Sequence, residues 1–226
     1  MDGIAQRLGE VRRRIAEACR RAGRDPSGVE LLAVSKTFPV ETIREAVEAG
    51  QSLFGENRVQ EALEKIPALP DSLRWHIIGH LQRNKVRKIL PLVEAVHSID
   101  SLRLAQHTDR LAAEAGLFPK IYLEVNVAGE ASKHGFQPDD LRAAMPDLLA
   151  LPRLEILGLM TVPPFVSDPE EARPWFQALR TLRDELSTAH DVPLPGLSMG
   201  MSGDFEVAIE EGATIVRVGS SIFGHR

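Results

Sequence analysis

The chain is predicted to fold as one closed (β/α)8 barrel, an α/β architecture with an extra N-terminal helix. Three observations carry that prediction. Short apolar runs alternate with segments of helical periodicity from residue 29 onward. Eight such runs occur, all but the first reached through a helix, and helical crossovers between strands build a parallel sheet. An open doubly wound sheet usually carries a Gly-rich phosphate loop after its first strand, but Ser35-Lys36-Thr37-Phe38-Pro39 stands in that place. The open sheet is the rival reading. The 226 residues suit a single barrel, and no Gly-, Pro- or Ser-rich linker divides them, so residues 1–226 read as one domain.

The elements follow in order. Residues 2–22 place Ile4, Leu8, Val11, Ile15, Ala18 and Cys19 at helical spacing, and Gly23 ends that helix. Strands are expected at Val29–Ser35, Ser52–Phe54, Arg74–Ile78, Ala95–Ile99, Lys120–Val127, Leu154–Met160, Gly196–Met199 and Thr214–Val218. The helices between them are expected at about Val40–Ala49, Glu56–Lys65, Gln82–Leu90, Ser101–Ala115, Pro138–Ala150, Pro169–His190 and Asp204–Glu211.

Composition narrows the function classes. A net charge of -5 gives no nucleic-acid footprint. Cys19 is the only cysteine, which rules out an internal disulfide, and its place on the apolar helix stripe predicts a buried, inert thiol. No stretch approaches the ~20 apolar residues that span a bilayer. Met1-Asp2-Gly3 opens no basic region followed by an apolar core, so a cytoplasmic location is expected.

In a barrel of this kind the active site forms at the C-terminal ends of the strands, often with a phosphate site after strands seven and eight. Lys36 closes the first strand. A lysine at such a rim, with its stem in apolar surroundings, is expected to lose some preference for the ammonium form. A neutral amine attacks an aldehyde to form a Schiff base; the other reading is a solvated charge. After strand seven, Ser198-Met199-Gly200-Met201-Ser202-Gly203-Asp204 leads into a helix, and after strand eight comes Arg217-Val218-Gly219-Ser220. Both suit a phosphate cradle of backbone N–H groups, with Gly219 permitting close approach and Ser202 and Ser220 offering hydroxyls.

The other strand ends are more open. Glu56 and Asn57 read either as the first turn of a helix or, for Asn57, as a residue of the barrel mouth. His76 and His80 lie four apart on a strand, not a helix, so no zinc motif forms. Arg83, Lys85, Arg87 and Lys88 suit a solvated helix face. The polar stretch Asn126–Gly135 is long for a βα loop. Met160 and Thr161 end strand six, where Met160 fits core packing or a ligand contact. No Ser–His–Asp order and no carboxylate pair nominates a hydrolase.

Six blocks in order over nearly the whole chain carry a resemblance to a known family: Ala33-Val34-Ser35-Lys36, Phe54-Gly55-Glu56-Asn57, His76 through Lys85, Gly158-Leu159-Met160-Thr161, Leu197 through Ser202, and Val216-Arg217-Val218-Gly219. In these the sequence resembles the pyridoxal phosphate homeostasis proteins (the YggS/PROSC family), whose barrel is similar to the N-terminal domain of alanine racemases. The resemblance implies pyridoxal 5'-phosphate (PLP) held on Lys36 as a Schiff base, with the phosphate on Ser202, Gly219 and Ser220. It implies Arg217 against the pyridine nitrogen, and Asn57, His80 and Met160 along the ring. The competing role for Arg217 is an ion pair in the barrel wall, with Glu210 for example. Many relatives carry a second lysine two residues after the first, where this chain has Phe38; Lys133, in a Ser132-Lys133 pair matching the family, is a substitute.

A non-catalytic cofactor carrier or homeostasis protein, which the resemblance supports, is set against two enzymes. One is an amino-acid racemase, which adds a β domain bringing a catalytic tyrosine, whereas the single tyrosine here, Tyr122, sits within strand five. The other is a phosphosugar enzyme on the same barrel. The carrier reading implies PLP as ligand, PLP-dependent apoenzymes as recipients, a monomer, and no nucleic-acid or membrane partner.

Overall fold

The computed structural model describes residues 3–130 and 133–224. Asp2, expected to begin the first helix, and Ser132 of the Ser132-Lys133 pair lie outside the described residues, as do Met1, Ala131, His225 and Arg226.

Eight parallel strands close in chain order: β1 (Glu30–Val34), β2 (Leu53–Glu56), β3 (Arg74–Ile77), β4 (Ala95–Ile99), β5 (Lys120–Glu124), β6 (Glu155–Met160), β7 (Gly196–Ser198) and β8 (Ile215–Val218). Glu30 pairs with Ile215 and Ala33 with Val218, so β8 returns to β1 and the open sheet is excluded. The helices are α1 (Ile4–Arg21), α2 (Val40–Glu48), α3 (Val59–Lys65), α4 (Arg83–Ile89), α5 (Leu102–Ala115), α6 (Pro138–Leu149), α7 (Arg173–His190), α8 (Phe205–Glu210) and α9 (Ser220–Phe223). None among the described residues is long and apolar enough to cross a membrane.

The stripe that predicted α1 is buried, Cys19 included. A fully buried Leu or Ile on it contributes about 1.5–3 kcal/mol relative to exposure. Polar contacts fix α1 against α8: Arg14 pairs with Glu206 at 2.8 Å and lies over the Phe205 ring, and Arg21 pairs with Glu210 at 2.8 Å. Gly23, at φ +65°, lets the Gly23 and Arg24 N–H groups turn back to Arg20 and Cys19 and close the helix.

Strand alternation sorts the side chains. Ala33, Phe54, Trp75, Ile77, Val96, Leu123, Leu159 and Val216 belong to the large core shared with the helices. Leu32, Val34, Leu53, Tyr122, Met160 and Ile215 form a separate cluster inside the barrel. Tyr122 is thus core, as expected. Where β6 meets β7, a Cβ on Gly158 would lie 1.9 Å from the Gly196 carbonyl oxygen, so the close approach requires glycine.

Three boundaries differ from expectation by more than two residues. Glu56 ends β2 and α3 starts only at Val59, because Glu56 is drawn into a buried ion pair instead of a solvated helix turn. β5 stops at Glu124, after which Val125 bridges only to Phe136. The segment expected as one helix from Pro169 opens with a tight turn at Pro169–Ala172 before α7.

Candidate functional site at the barrel mouth

Lys36 leaves β1 two residues beyond Val34 and so continues the inward row of Leu32 and Val34 toward the mouth. The burial expected to depress its ammonium form is not there: the side chain is exposed, because the chain turns at Lys36–Thr37 before any element covers it. It enters no hydrogen bond or ion pair among the described residues. What is constrained is its backbone. Lys65, itself buried, donates from Nζ to the Ser35 carbonyl at 2.9 Å, to Glu56 Oε1 at 2.8 Å and to Glu61 Oε2 at 2.8 Å. Ser35 Oγ donates to Glu56 Oε1 at 2.7 Å, and the Thr37 N–H donates to Glu61 Oε2 at 2.7 Å. One ammonium and two carboxylates therefore grip both neighbours of Lys36. The grip offsets a real cost, since Thr37 holds φ +67°, unusual for a β-branched residue. Burial raises the Glu56 carboxyl, against the hydrogen bonds of Lys65 and Ser35. Phe38, at the position of the second lysine, packs on Phe223 with ring centroids 5.0 Å apart.

The two phosphate-type loops meet. The N–H groups of Gly219 and Ser221 both donate to Ser202 Oγ, at 3.2 and 3.4 Å. Gly219 itself packs so that a Cβ would stand 3.3 Å from Val34. Ser220 begins α9, half-buried beside them. Gly200, at φ +92°, brings the β7 loop against Phe205 and Ala208, where a Cβ would lie 2.9 and 2.6 Å from their atoms.

Arg217 points inward from β8 and is 4% exposed. It donates to Ser198 Oγ at 2.7 Å and to the Thr161 carbonyl at 2.8 Å, and makes no ion pair among the described residues. The alternative pairing with Glu210 is overturned, for Glu210 is engaged by Arg21 and Arg173 on the outer face. Burial pushes the guanidinium down to about 10, opposed by Asp204 and Glu124, so it stays charged at neutral pH.

Glu124 was missed by sequence reasoning. Desolvation, then the nearby Asp100, push its carboxyl up to about 7, with Arg217 opposing. The signal was the alternation Lys120, Tyr122, Glu124 against the buried Ile121 and Leu123, which turns the polar residues inward. The linkage has a definite sign. The native state binds this proton more tightly than the unfolded chain, so Glu124 lowers stability as pH rises from about 4.5 to about 7. Glu124→Gln is expected to flatten that decline and to stabilise the protein at pH 8 by roughly 2–3 kcal/mol. Urea unfolding of both proteins at pH 5 and pH 8 checks this, and parallel pH slopes would count against it.

The remaining expected residues divide. Asn57 lies in the bend after β2, half-buried, with its backbone so close to Gly79 that a Cβ there would meet Asn57 O at 2.4 Å. It is a mouth residue and not part of a helix. Met160 is fully buried in the inner cluster, beneath the mouth. His80 is exposed; its Nδ1 sits 3.2 Å from Asp100 Oδ2, and its ring stacks on His134 at 4.0 Å and 15°. His80, Asp100 and His134 form a possible cation-ligand set, with ligand atoms within 4.8 Å of one another. The near-parallel rings send their lone pairs side by side instead of toward one point, so this set carries no metal assignment. Lys133 pairs with Glu130 at 2.6 Å in the loop after β5. Arg83, Arg87 and Lys88 are exposed on α4, and Lys85 is half-buried.

The sequence matches the family of the alanine racemase N-terminal domain over residues 7–226. A pyridoxal phosphate homeostasis protein of Aquifex aeolicus is 50% identical over 222 residues, which cover 98% of this chain and 97% of that protein. The chain belongs to the pyridoxal phosphate homeostasis protein family. A second member of that family, from Pseudomonas aeruginosa, is 47% identical over 230 residues, 100% of this chain and 97% of its own. The solved structure of PipY from Synechococcus elongatus with PLP bound superposes with a TM-score of 0.85 at 42% identity, covering 98% of this chain and 100% of PipY. PipY without PLP gives 0.87 at 43%.

Proposed function

We propose that this chain binds PLP at the barrel mouth and holds it for intracellular cofactor homeostasis, without substantial catalysis. One observation carries the reading: an amine and a buried guanidinium, with no partner and no carboxylate partner respectively among the described residues, stand with an anion-type pair of backbone N–H groups at the ends of neighbouring strands β1, β7 and β8. The donor set fits the group. Ser202, Gly219 and Ser220 would hold the phosphate, the Ser202 hydroxyl now standing where an anion oxygen would accept. Bound PLP supplies an aldehyde that condenses with an amine and a ring that accepts electron density. Lys36 Nζ is the amine that would hold it. Arg217, at the ring nitrogen, would disfavour a proton on that atom, because like charges lower its basicity. An unprotonated ring is the poorer electron sink, which is how a reactive cofactor is kept from turnover. Asn57 and His80 would line the ring above Met160.

The whole chain, residues 1–226, would serve as this one binding domain, as a cytoplasmic monomer that passes PLP to dependent apoenzymes, with Lys133 as a second amine on the way. It would have neither nucleic-acid nor membrane partners. Racemisation is disfavoured by Tyr122, which packs against His97 inside the barrel, ring centroids 4.4 Å apart, and cannot reach a ligand as a base. The test is absorbance titration with PLP, joined to a chiral assay on alanine and serine. Saturable binding without turnover is expected, and turnover in the usual enzyme range of ~1–1,000 per second would refute the carrier reading.

The cradle has its own test. Ser202→Ala is expected to weaken PLP binding by about 1.5–3 kcal/mol, the worth of one hydrogen bond to a charged group. Equal affinity for pyridoxal and PLP would show that the phosphate is held elsewhere.

A further inference from the structure

A line of buried polar side chains crosses the barrel from its mouth to its opposite end. Arg217 Nη1 donates to Ser198 Oγ at 2.7 Å. Ser198 Oγ lies 2.8 Å from His97 Nδ1, and His97 Nε2 lies 2.9 Å from His76 Nδ1. His76 Nε2 then faces Glu94 Oε2 at 3.7 Å, beyond hydrogen-bond reach, and has no hydrogen-bond partner among the described residues. Arg74 and Lys120 hold that carboxylate at the N-terminal end of the barrel, at 2.6 and 3.2 Å. Barrel interiors are usually layers of branched apolar residues, so four polar side chains here need an explanation beyond packing.

The two ends dictate where the protons sit. A guanidinium offers donors only and a carboxylate acceptors only. Ser198 Oγ accepts from Arg217, which leaves its own hydrogen for His97 Nδ1. Burial holds His97 neutral, so its single N–H is on Nε2 and donates to His76 Nδ1. His76 in turn carries its hydrogen on Nε2, toward Glu94. Reversed, the chain would aim a bare His76 lone pair at the Glu94 carboxylate and leave the Ser198 hydroxyl without an acceptor among the described residues.

We propose that Ser198, His97 and His76 are positioning residues: a one-way chain of hydrogen bonds, its direction set at the far end by the Glu94 charge facing His76, that holds the Arg217 guanidinium in one orientation at the mouth, facing the ring nitrogen of PLP. The last clause rests on the PLP reading above; the chain itself does not. Without this hold, the guanidinium would be drawn to Glu124 or Asp204, whose charges it already feels. Paired with either, it would no longer present an uncompensated charge to a ligand. The Thr161 carbonyl fixes its other edge.

The experiment begins on protein without added PLP. Long-range proton–nitrogen NMR is expected to report neutral Nε2–H tautomers for both His97 and His76; an Nδ1–H form of His97 overturns the chain. The Arg217 guanidinium signals should be resolved and slow to rotate in the wild type and should average in Ser198→Ala and His97→Leu. His97→Gln, which both accepts and donates, should restore slow rotation, a rescue that lost packing alone would not give. Unchanged signals in Ser198→Ala, the variant least able to disturb the fold, refute the positioning role. With PLP added, Ser198→Ala should bind about tenfold more weakly, the effect of one charged-group hydrogen bond. If Arg217→Met binds PLP as tightly as the wild type, the ring contact is refuted, and the NMR results still decide the chain separately.

Discussion

Lys36→Ala is expected to abolish the covalent PLP adduct that borohydride traps on this protein. Lys36 is the amine delivered to the mouth by the inward row of β1, and among the described residues its exposed side chain is tied to nothing that a ligand would have to displace. Replacing it should leave the fold intact, since the surrounding clamp acts on the Ser35 carbonyl and the Thr37 N–H and not on the Lys36 side chain. The variant should therefore unfold like the wild type and retain weaker, non-covalent PLP binding through the Ser202 and Gly219 cradle. Peptide mapping after reduction is the measurement. A wild-type adduct found on Lys133 alone would remove Lys36 from the assignment.

Lys65→Met should cost the most stability of any single change near the site, about 3–5 kcal/mol at pH 7, the range for stripping one partner from a buried ion pair. Its ammonium is the common donor to Glu56, Glu61 and the Ser35 carbonyl. Removing it strands Glu56, which is fully buried and has one oxygen, Oε2, already without a hydrogen-bond partner among the described residues. The loss should shrink toward pH 5, where Glu56 can take up a proton and shed its charge, because burial already raises that carboxyl. Lys65→Met with Glu56→Gln should recover a large part of it, since no buried charge then remains unpaired. Denaturant unfolding of the single and double variants at both pH values measures this. The single variant should also slow adduct formation at Lys36, as Thr37 relaxes from its left-handed conformation. A single variant within about 0.5 kcal/mol of the wild type, the spread of ordinary surface changes, would mean that Lys65 does not brace the turn.

Much of this protein is legible in its sequence, and the reason is periodicity. Apolar spacing located all eight strands and the stripe of α1, because burial of one face is what makes either element stable. Alternation of strands and helices determines a parallel arrangement, and the strand-end positions of Lys36, Ser202, Arg217 and Gly219 assign them to one rim. The tertiary structure decided what depends on partners distant in the chain. That Glu56 belongs to a strand follows from Lys65 on the facing helix, nine residues on. That Arg217 pairs with no carboxylate among the described residues follows from Ser198 on β7 and Thr161 at the end of β6. The polar line through His97 and His76, and the displaced titration of Glu124, arise from desolvation inside a closed barrel, a condition no local pattern of residues can express.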